Sequence, residues 1–417
     1  MRKFAVLALI QFGFLSACGG GGYNIAPTPT PTQMIATPGP PNVESITVGS
    51  GPAGVNAINT AYISVQVCNP TTGACQTNPD IEVDTGSTGL RLLASAMNGL
   101  ILPAETNGTN PLAECLKFAD GSSWGSLATA NITLPVSGET ASGVHVHIIG
   151  DPAYPNTTIP TDCTGTPENT VTAFGANGIL GVGPFLQDCG SACVTAVVSA
   201  TYYQCPAPST CAGTTATLLQ QVQNPVSMFV TDNNGVIIEL PAVGSAGATT
   251  LSGSLVFGIG TRTNNGLGSA TVLLFDPNTG AIQATYKSTT YTGAYIDSGS
   301  NGNFFTDSTL TQCMTATTPP QPTGFFCPAA TMMETATLKG TGAATLTANF
   351  SVANADTLFS NSTYTAFSNL AGPILTPPPA GMPQPFDLGL SYFYGVNVFT
   401  AIEGAPTPGG VGPYFAY

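Results

Sequence analysis

The sequence predicts an all-β protein of two related lobes with few short helices. Three observations carry that expectation. The first is composition: the 417 residues include 49 glycines and 35 prolines, and only 7% are charged. A globular domain ordinarily carries about a quarter charged residues, and a Thr-, Ser-, Gly-, Val- and Pro-rich chain suits short strands joined by many turns. The second is pattern, since short apolar or alternating stretches recur along the chain with turn residues between them. The third is a doubled motif. An apolar strand runs into Asp84-Thr85-Gly86-Ser87, and another runs into Asp297-Ser298-Gly299-Ser300.

Charge excludes several functions. Seven Lys and Arg stand against 21 Asp and Glu, a formal net charge of −14. Nucleic-acid binding needs a basic patch to displace counterions, and so few cations cannot build one. Coiled coils need Glu/Lys-rich faces, which are absent. A hydrophobic content of 42% with 8% aromatics is enough to bury a core, so disorder is excluded as well. The length suggests two or three folding units.

The chain opens as an exported protein does. Arg2 and Lys3 precede an apolar run from Phe4 to Ala17, too short to span a bilayer comfortably and suited to a secretory signal. Leu15-Ser16-Ala17-Cys18 resembles the bacterial lipobox, in which the Cys is lipidated and becomes the mature N-terminus. The alternative is an ordinary cleaved signal with a chance Cys. The glycines at 19–22 and the Pro-Thr repeat from Pro27 form a flexible, then extended tether, as an anchored domain needs. Gly19 after the Cys is similar to lipoproteins of the outer membrane. The expected organisation is a signal and lipobox over 1–18, a tether over 19–45, a first β lobe over 46–222 and a second over 223–417. The expected location is the bacterial cell envelope, lipid-anchored at the outer membrane or periplasm, or secreted.

Cysteine usage agrees with export. Eleven cysteines leave ten once Cys18 is set aside, an even number in a compartment where disulfides persist. Cys68 with Cys75, Cys205 with Cys211, and Cys313 with Cys327 are close enough in sequence to staple local loops. Cys115, Cys163, Cys189 and Cys193 allow three pairings, which remain open. A zinc site is disfavoured, because no Cys-x2-Cys pair exists and only His145 and His147 could assist. No metal or other cofactor is expected.

Strands are expected over Ala61–Val67, Asp80–Val83, Asn131–Val136, Val144–Ile149, Pro225–Val230, Val236–Leu240, Ser254–Ile259, Thr271–Phe275 and Ala294–Ile296. Asp232-Asn-Asn-Gly and Asp276-Pro-Asn-Thr-Gly are turn signals, the second a hairpin loop. Helical periodicity is confined to Thr217–Val222 and Ser308–Met314.

One Asp-Thr/Ser-Gly alone is ordinary turn chemistry. The pair carries more, because each copy is followed at a similar distance by a second signal: Asn177-Gly-Ile179-Leu180-Gly181 after the first, Phe386-Asp-Leu388-Gly389 after the second. In this two-part repeat the chain resembles the pepsin-like aspartic proteases, in a bacterial secreted or lipoprotein branch. The resemblance covers most of residues 45–417. The segment starting Thr60-Ala-Tyr62 is similar to the strand entering the first lobe, and residues 117–125, with Phe118, Asp120 and Gly121, to the flap hairpin over the cleft. Pro225-Val-Ser-Met-Phe-Val and Gly253-Ser-Leu-Val-Phe-Gly258 are similar to the opening of the second lobe, and Leu388–Phe399 to the closing segment.

The resemblance implies an aspartic endopeptidase with Asp84 and Asp297 as a dyad, acting on a polypeptide substrate. Two carboxylates about 3 Å apart cannot both ionise, so they share one proton, and one then serves as base on a water while the other serves as acid. Thr85 and Ser298 would lock the two loops together, and Ser87 and Ser300 would hydrogen-bond the outer carboxylate oxygens. Gly86 and Gly299 would supply freedom for a tight turn. The chain departs from the family at two places. Phe118 stands where a flap Tyr is usual, and Arg91 where a cleft Trp is usual; a Phe–Arg stack could replace their hydrogen bond. Residues 19–45 hold no Lys or Arg to cap an acidic cleft, so no prosegment is recognisable. These departures support the alternative of a catalytically inactive module that binds a peptide ligand or an envelope partner.

Other motifs reduce to simpler readings. Gly121-Ser-Ser123-Trp-Gly125 has the nucleophile-elbow spacing but lacks the strand-turn-helix context and a downstream His in the required place. His145 and His147 share one strand face and are expected to face solvent. The Gly258–Gly268 run is a loop, and sequons such as Asn131-Ile-Thr follow from Thr richness.

Overall fold

Alternation along the chain sets the strands. In Ile282–Tyr286 every second side chain is buried, and Met332–Lys339 and Thr345–Val352 keep the same rhythm, as expected of sheets with one wet face. Where both faces are covered the alternation disappears, as in Thr88–Leu93, Gly178–Val182 and Gly235–Glu239, whose residues are all buried. The computed structural model describes residues 33–119, 121–276, 280–317, 321–374 and 382–417.

The architecture is all-β with two lobes, as the sequence implies. A 16-stranded sheet runs through the first lobe and continues into the second half of the chain. The crossing is made by Val43–Val48, which pairs antiparallel with Leu251–Phe257 from Val43 opposite Val256 to Val48 opposite Leu251. Within the first lobe the strands close on themselves. The ring runs Ala61–Cys68, Cys75–Asp84, Gly178–Val182, Thr88–Leu93, Thr140–Ile149, Ser122–Thr133 and back to Ala61–Cys68. A 7-stranded sheet forms the second lobe, with Ile282–Tyr286 and Thr289–Ile296 near its middle.

One topological unit occurs in both lobes and positions the site. Cys75–Asp84 pairs in parallel with Gly178–Val182, which pairs antiparallel with Thr88–Leu93. Thr289–Ile296 pairs in parallel with Pro385–Leu388, which pairs antiparallel with Asn303–Phe304. In each lobe the Asp loop therefore joins two strands held together by a third that returns between them. Beneath the second loop, Phe386 stacks on Phe305 at 5.3 Å and both contact Phe350.

Several local expectations are corrected. Pro225–Met228 is a short 3-10 turn, not a strand: the Asn224 side chain accepts from the Val226 N–H and Pro225 is preset for a helical start. Thr217–Val222 is a turn closed by Gln220 Oε1, which accepts from Thr217, so no helix forms. In Ser308–Met314 the last three residues are a strand, held to Pro322–Phe326 by Cys313–Cys327. The turn starting at Asp276 does close, through Asp276 N–H to Ala281 and Gly280 N–H to Asp276. It joins two different sheets, however, so it is not a hairpin loop. The tether expectation fails from Gln33 onward. The Gln33 side chain donates to the Leu240 carbonyl, the Ala36 N–H donates to Glu239, and Val43 is buried. The signal peptide, the lipobox with Cys18, and residues 19–32 lie outside the described residues.

Five disulfides form among the described residues. Three are the expected local staples Cys68–Cys75, Cys205–Cys211 and Cys313–Cys327. The open quartet pairs as Cys115–Cys163 and Cys189–Cys193. Such a set fits a protein of an oxidising, extracytoplasmic compartment. Among the described residues no helix is long and apolar enough to cross a membrane.

Candidate active site

Each Asp is delivered by a strand whose apolar side chains anchor it. Ile81 and Val83 are fully buried before Asp84, and Ile296 before Asp297. The carboxylates thus emerge at strand ends, where the chain must turn. Within each loop the carboxylate accepts from its own glycine: Gly86 N–H to Asp84 Oδ1 at 2.6 Å, and Gly299 N–H to Asp297 Oδ1 at 2.8 Å.

The loops then interlock. Thr85 N–H donates to Ser298 Oγ at 3.0 Å, and Ser298 N–H donates to Thr85 Oγ1 at 2.9 Å. Each hydroxyl passes its own proton onward across the interface, Thr85 to the Ile296 carbonyl at 3.1 Å and Ser298 to the Val83 carbonyl at 2.8 Å. Thr85 and Ser298 are buried, so these bonds are shielded from water.

This lock brings the acids together. A methyl group built on Gly86 would fall 2.4 Å from Asp297 Oδ2, and one on Gly299 would fall 2.5 Å from Asp84 Oδ1 and 3.3 Å from Asp297 Oδ1. Neither glycine has a positive φ. Their requirement is therefore close approach to the opposing carboxylate, and the expected turn freedom is not the reason. Burial, and then the charges of Asp84 and Asp387, push Asp297 well above the usual carboxylate range. Asp84 also acts on it as a hydrogen-bond partner, so one proton can be shared between them.

The two supporting serines differ. Ser300 Oγ lies 3.3 Å from Asp297 Oδ2, as the resemblance implies, but it also bonds Asp387 Oδ2 at 2.5 Å. Ser87 Oγ is buried with no hydrogen-bond partner among the described residues, and the expected bond to Asp84 is not made.

The hairpin that the resemblance likens to a flap is tied down. Phe118 N–H donates to the Gly121 carbonyl across its tip, and Asp120 lies outside the described residues. Phe118 packs edge-on against Phe174 at 5.7 Å, and Ser122 exchanges backbone bonds with Thr166 and Glu168. Gly121 is needed for that approach, since a methyl group there would lie 2.6 Å from the Thr166 carbonyl oxygen. Cys115–Cys163 ties the base of the hairpin to the same segment.

Arg91 is not in the cleft and does not stack on Phe118. It is completely buried, pairing with Glu114 at 3.1 Å and Asp188 at 3.0 Å. The register that sets Arg91 beside His147 explains a second correction: His147 is fully buried, with Nδ1 3.4 Å from Glu114, instead of facing solvent. Burial, reinforced by Arg91, pushes His147 well below the usual imidazole value, which keeps it neutral. Asp188 is pushed well above the carboxylate range by burial and then by Glu114, and the Tyr202 hydroxyl donates to it. His145 is half-buried, 3.4 Å from Glu105.

Asp387 joins this site although neither Asp-Thr/Ser-Gly loop contains it. Burial pushes it up to about 7, the Ser300 bond opposing and the Asp84 charge adding. Its signal was the misfit within the repeat, since Asp387-Leu388-Gly389 matches Ile179-Leu180-Gly181 except for a carboxyl in place of an apolar side chain. Among the described residues the one group with metal-ligand spacing is Cys313, Cys327 and Asp356, and its two sulfurs are consumed by a disulfide.

Among solved structures, an aspartic proteinase from Irpex lacteus is similar at 15% identity and a TM-score of 0.47, covering 90% of this chain and 96% of that one. No curated protein matches. A family model described as "Protein of unknown function (DUF3443)" matches residues 38–417, and the chain belongs to that family.

Proposed function

We propose that this protein is an aspartic endopeptidase that hydrolyses polypeptides with Asp84, Asp297 and a water held between them. The observation that carries the reading is the reciprocal lock of Thr85 and Ser298, which holds two acids close enough to share a proton. Asp84, as the base, takes a proton from the water as its oxygen adds to the scissile carbonyl carbon. Asp297, as the acid, gives its proton to the carbonyl oxygen. The tetrahedral diol collapses as Asp84 returns its proton to the leaving nitrogen and a diol hydroxyl returns one to Asp297. The pair titrates as a unit. A lipid anchor at Cys18 would hold the enzyme at a bacterial envelope, a placement that the disulfides support.

The test is cleavage of an unfolded polypeptide by the purified full chain between about pH 3 and 7, where a shared carboxyl proton can persist. Wild type should cleave, a statine-type compound should block it, and Asp84→Ala and Asp297→Asn should each abolish it. Cleavage that survives both substitutions would defeat the proposal. A second reading, a peptide-binding module without catalysis, is favoured by the partnerless Ser87 hydroxyl and the tied hairpin. It predicts statine binding that Asp84→Ala weakens, with no cleavage at any pH.

A further inference from the structure

The second lobe places a third carboxyl beside the pair. Asp387 sits on Pro385–Leu388, opposite Tyr295 in the register, at the position that Ile179 occupies opposite Glu82 in the first lobe. Its Oδ2 shares the Ser300 hydroxyl with Asp297 Oδ2, and its Oδ1 is buried without a partner among the described residues. A serine hydroxyl carries one proton and can donate to one acceptor only. For both contacts to be hydrogen bonds, one of the two acids must itself be protonated and donate to Ser300 Oγ.

No cation among the described residues is at hand to settle the charge. Among the described residues Arg91 pairs with Glu114 and Asp188, Arg262 with Asp232, and Lys287 with Asp307 and Glu334. Lys117 bonds Thr164, and Lys339 lies beside the Asp276–Thr341 cavity. The titratable groups that act on Asp387 or are acted on by it are Asp84, Asp297 and Tyr295. Neutralisation must therefore come from protons distributed over the acids.

We propose that Asp387 is a positioning residue for the Asp84–Asp297 pair. When protonated it donates to Ser300 and turns the Ser300 proton onto Asp297, and when ionised it holds the last shared proton on the pair. This rests on reading Asp84 and Asp297 as a proton-sharing pair. The raised values of Asp297 and Asp387 agree with it. The consequence is an activity window that extends closer to neutral pH than the pair alone would allow.

The test uses the full chain with 13C-labelled Asp carboxyls, the Asp297 signal being assigned from Asp297→Asn. Wild type, Asp387→Asn and Asp387→Ile are titrated by NMR, and the pH profile of cleavage is measured on the same proteins. Asp387→Ile copies the side chain of the first lobe, so it guards against misfolding of the polar variant. Both variants should lower the Asp297 midpoint and the alkaline edge of kcat/KM by about one pH unit, as removal of a nearby negative charge requires. The exposed Asp356→Asn should move neither. Unchanged Asp297 midpoints in folded Asp387 variants overturn the proposal. Absence of cleavage by wild type would instead count against the peptidase reading, and the NMR titration would still decide the coupling.

Discussion

Thr85 and Ser298 exchange hydrogen bonds in both directions, at 3.0 and 2.9 Å, although they lie 213 residues apart in the chain. Four bonds converge on two hydroxyls in a buried setting, so the lobes are registered by small polar groups as well as by apolar packing. Thr85→Ala removes an acceptor for Ser298 N–H and a donor to Ile296. Leaving one buried polar group without a partner costs about 1–3 kcal/mol. Thermal denaturation should show that loss, with cleavage falling further because the acids lose register. Thr85→Ser keeps the hydroxyl and should restore both.

Gly86 and Gly299 are limited by space. A methyl group at either position would sit within 2.5 Å of an opposing carboxylate oxygen. Gly86→Ala and Gly299→Ala should each force the acids apart at an overpacking cost of about 1–3 kcal/mol. The expected outcome is lost cleavage and weakened statine binding in proteins that still fold, measured by titration calorimetry beside circular dichroism.

Arg91 belongs to the interior of the first lobe. Arg91→Met leaves Glu114 and Asp188 buried without their cation, and removing one partner of a buried pair costs about 3–5 kcal/mol. Denaturant midpoints should fall accordingly. The cleavage pattern of the molecules that remain folded should match wild type, whereas a residue lining the cleft would change it.

Stability should decline from mildly acidic to neutral pH. Asp297, Asp188, Glu44 and Glu239 are raised by burial, and Asp387 and Glu139 are raised to about 7. Each holds its proton more tightly folded than unfolded. Their contribution is complete below the unfolded value, near 4, and is lost as pH rises through the folded values. Groups of opposite sign moderate this. His145 and His147 are lowered by burial, so below about 6.5 the unfolded chain gains protons that the folded one refuses. Asp307, lowered by Lys287 and Tyr286 against the effect of burial, contributes above about 4 and loses that contribution in stronger acid. The raised acids outnumber the histidines, so melting temperature should be several degrees higher near pH 4.5 than near pH 7.5. A scan with the reverse slope would contradict the assignment.

Much of the fold was legible because its signals are local. Short alternating strands, the two Asp loops and the paired Gly-terminated segments are all written within a few consecutive residues. The repeat order then implied two lobes. The misses were also physical. Pro225 looked like the start of an apolar strand until Asn224 capped it as a turn. The 33–45 segment read as tether by composition, yet Val43 completes a ladder with Val256.

The sequence by itself determined the all-β class, the two Asp-Thr/Ser-Gly-Ser loops, three of the disulfides and the poverty of cations. Tertiary structure alone decided which polar groups share a buried space. It buried Arg91, expected in the cleft, and His147, expected to face solvent, in one cluster, left Ser87 without its expected partner, and set Asp387 beside Asp297 through Ser300. The reason is that propensity and turn chemistry act between near neighbours, whereas a carboxylate's environment is set by whichever strands the register brings against it.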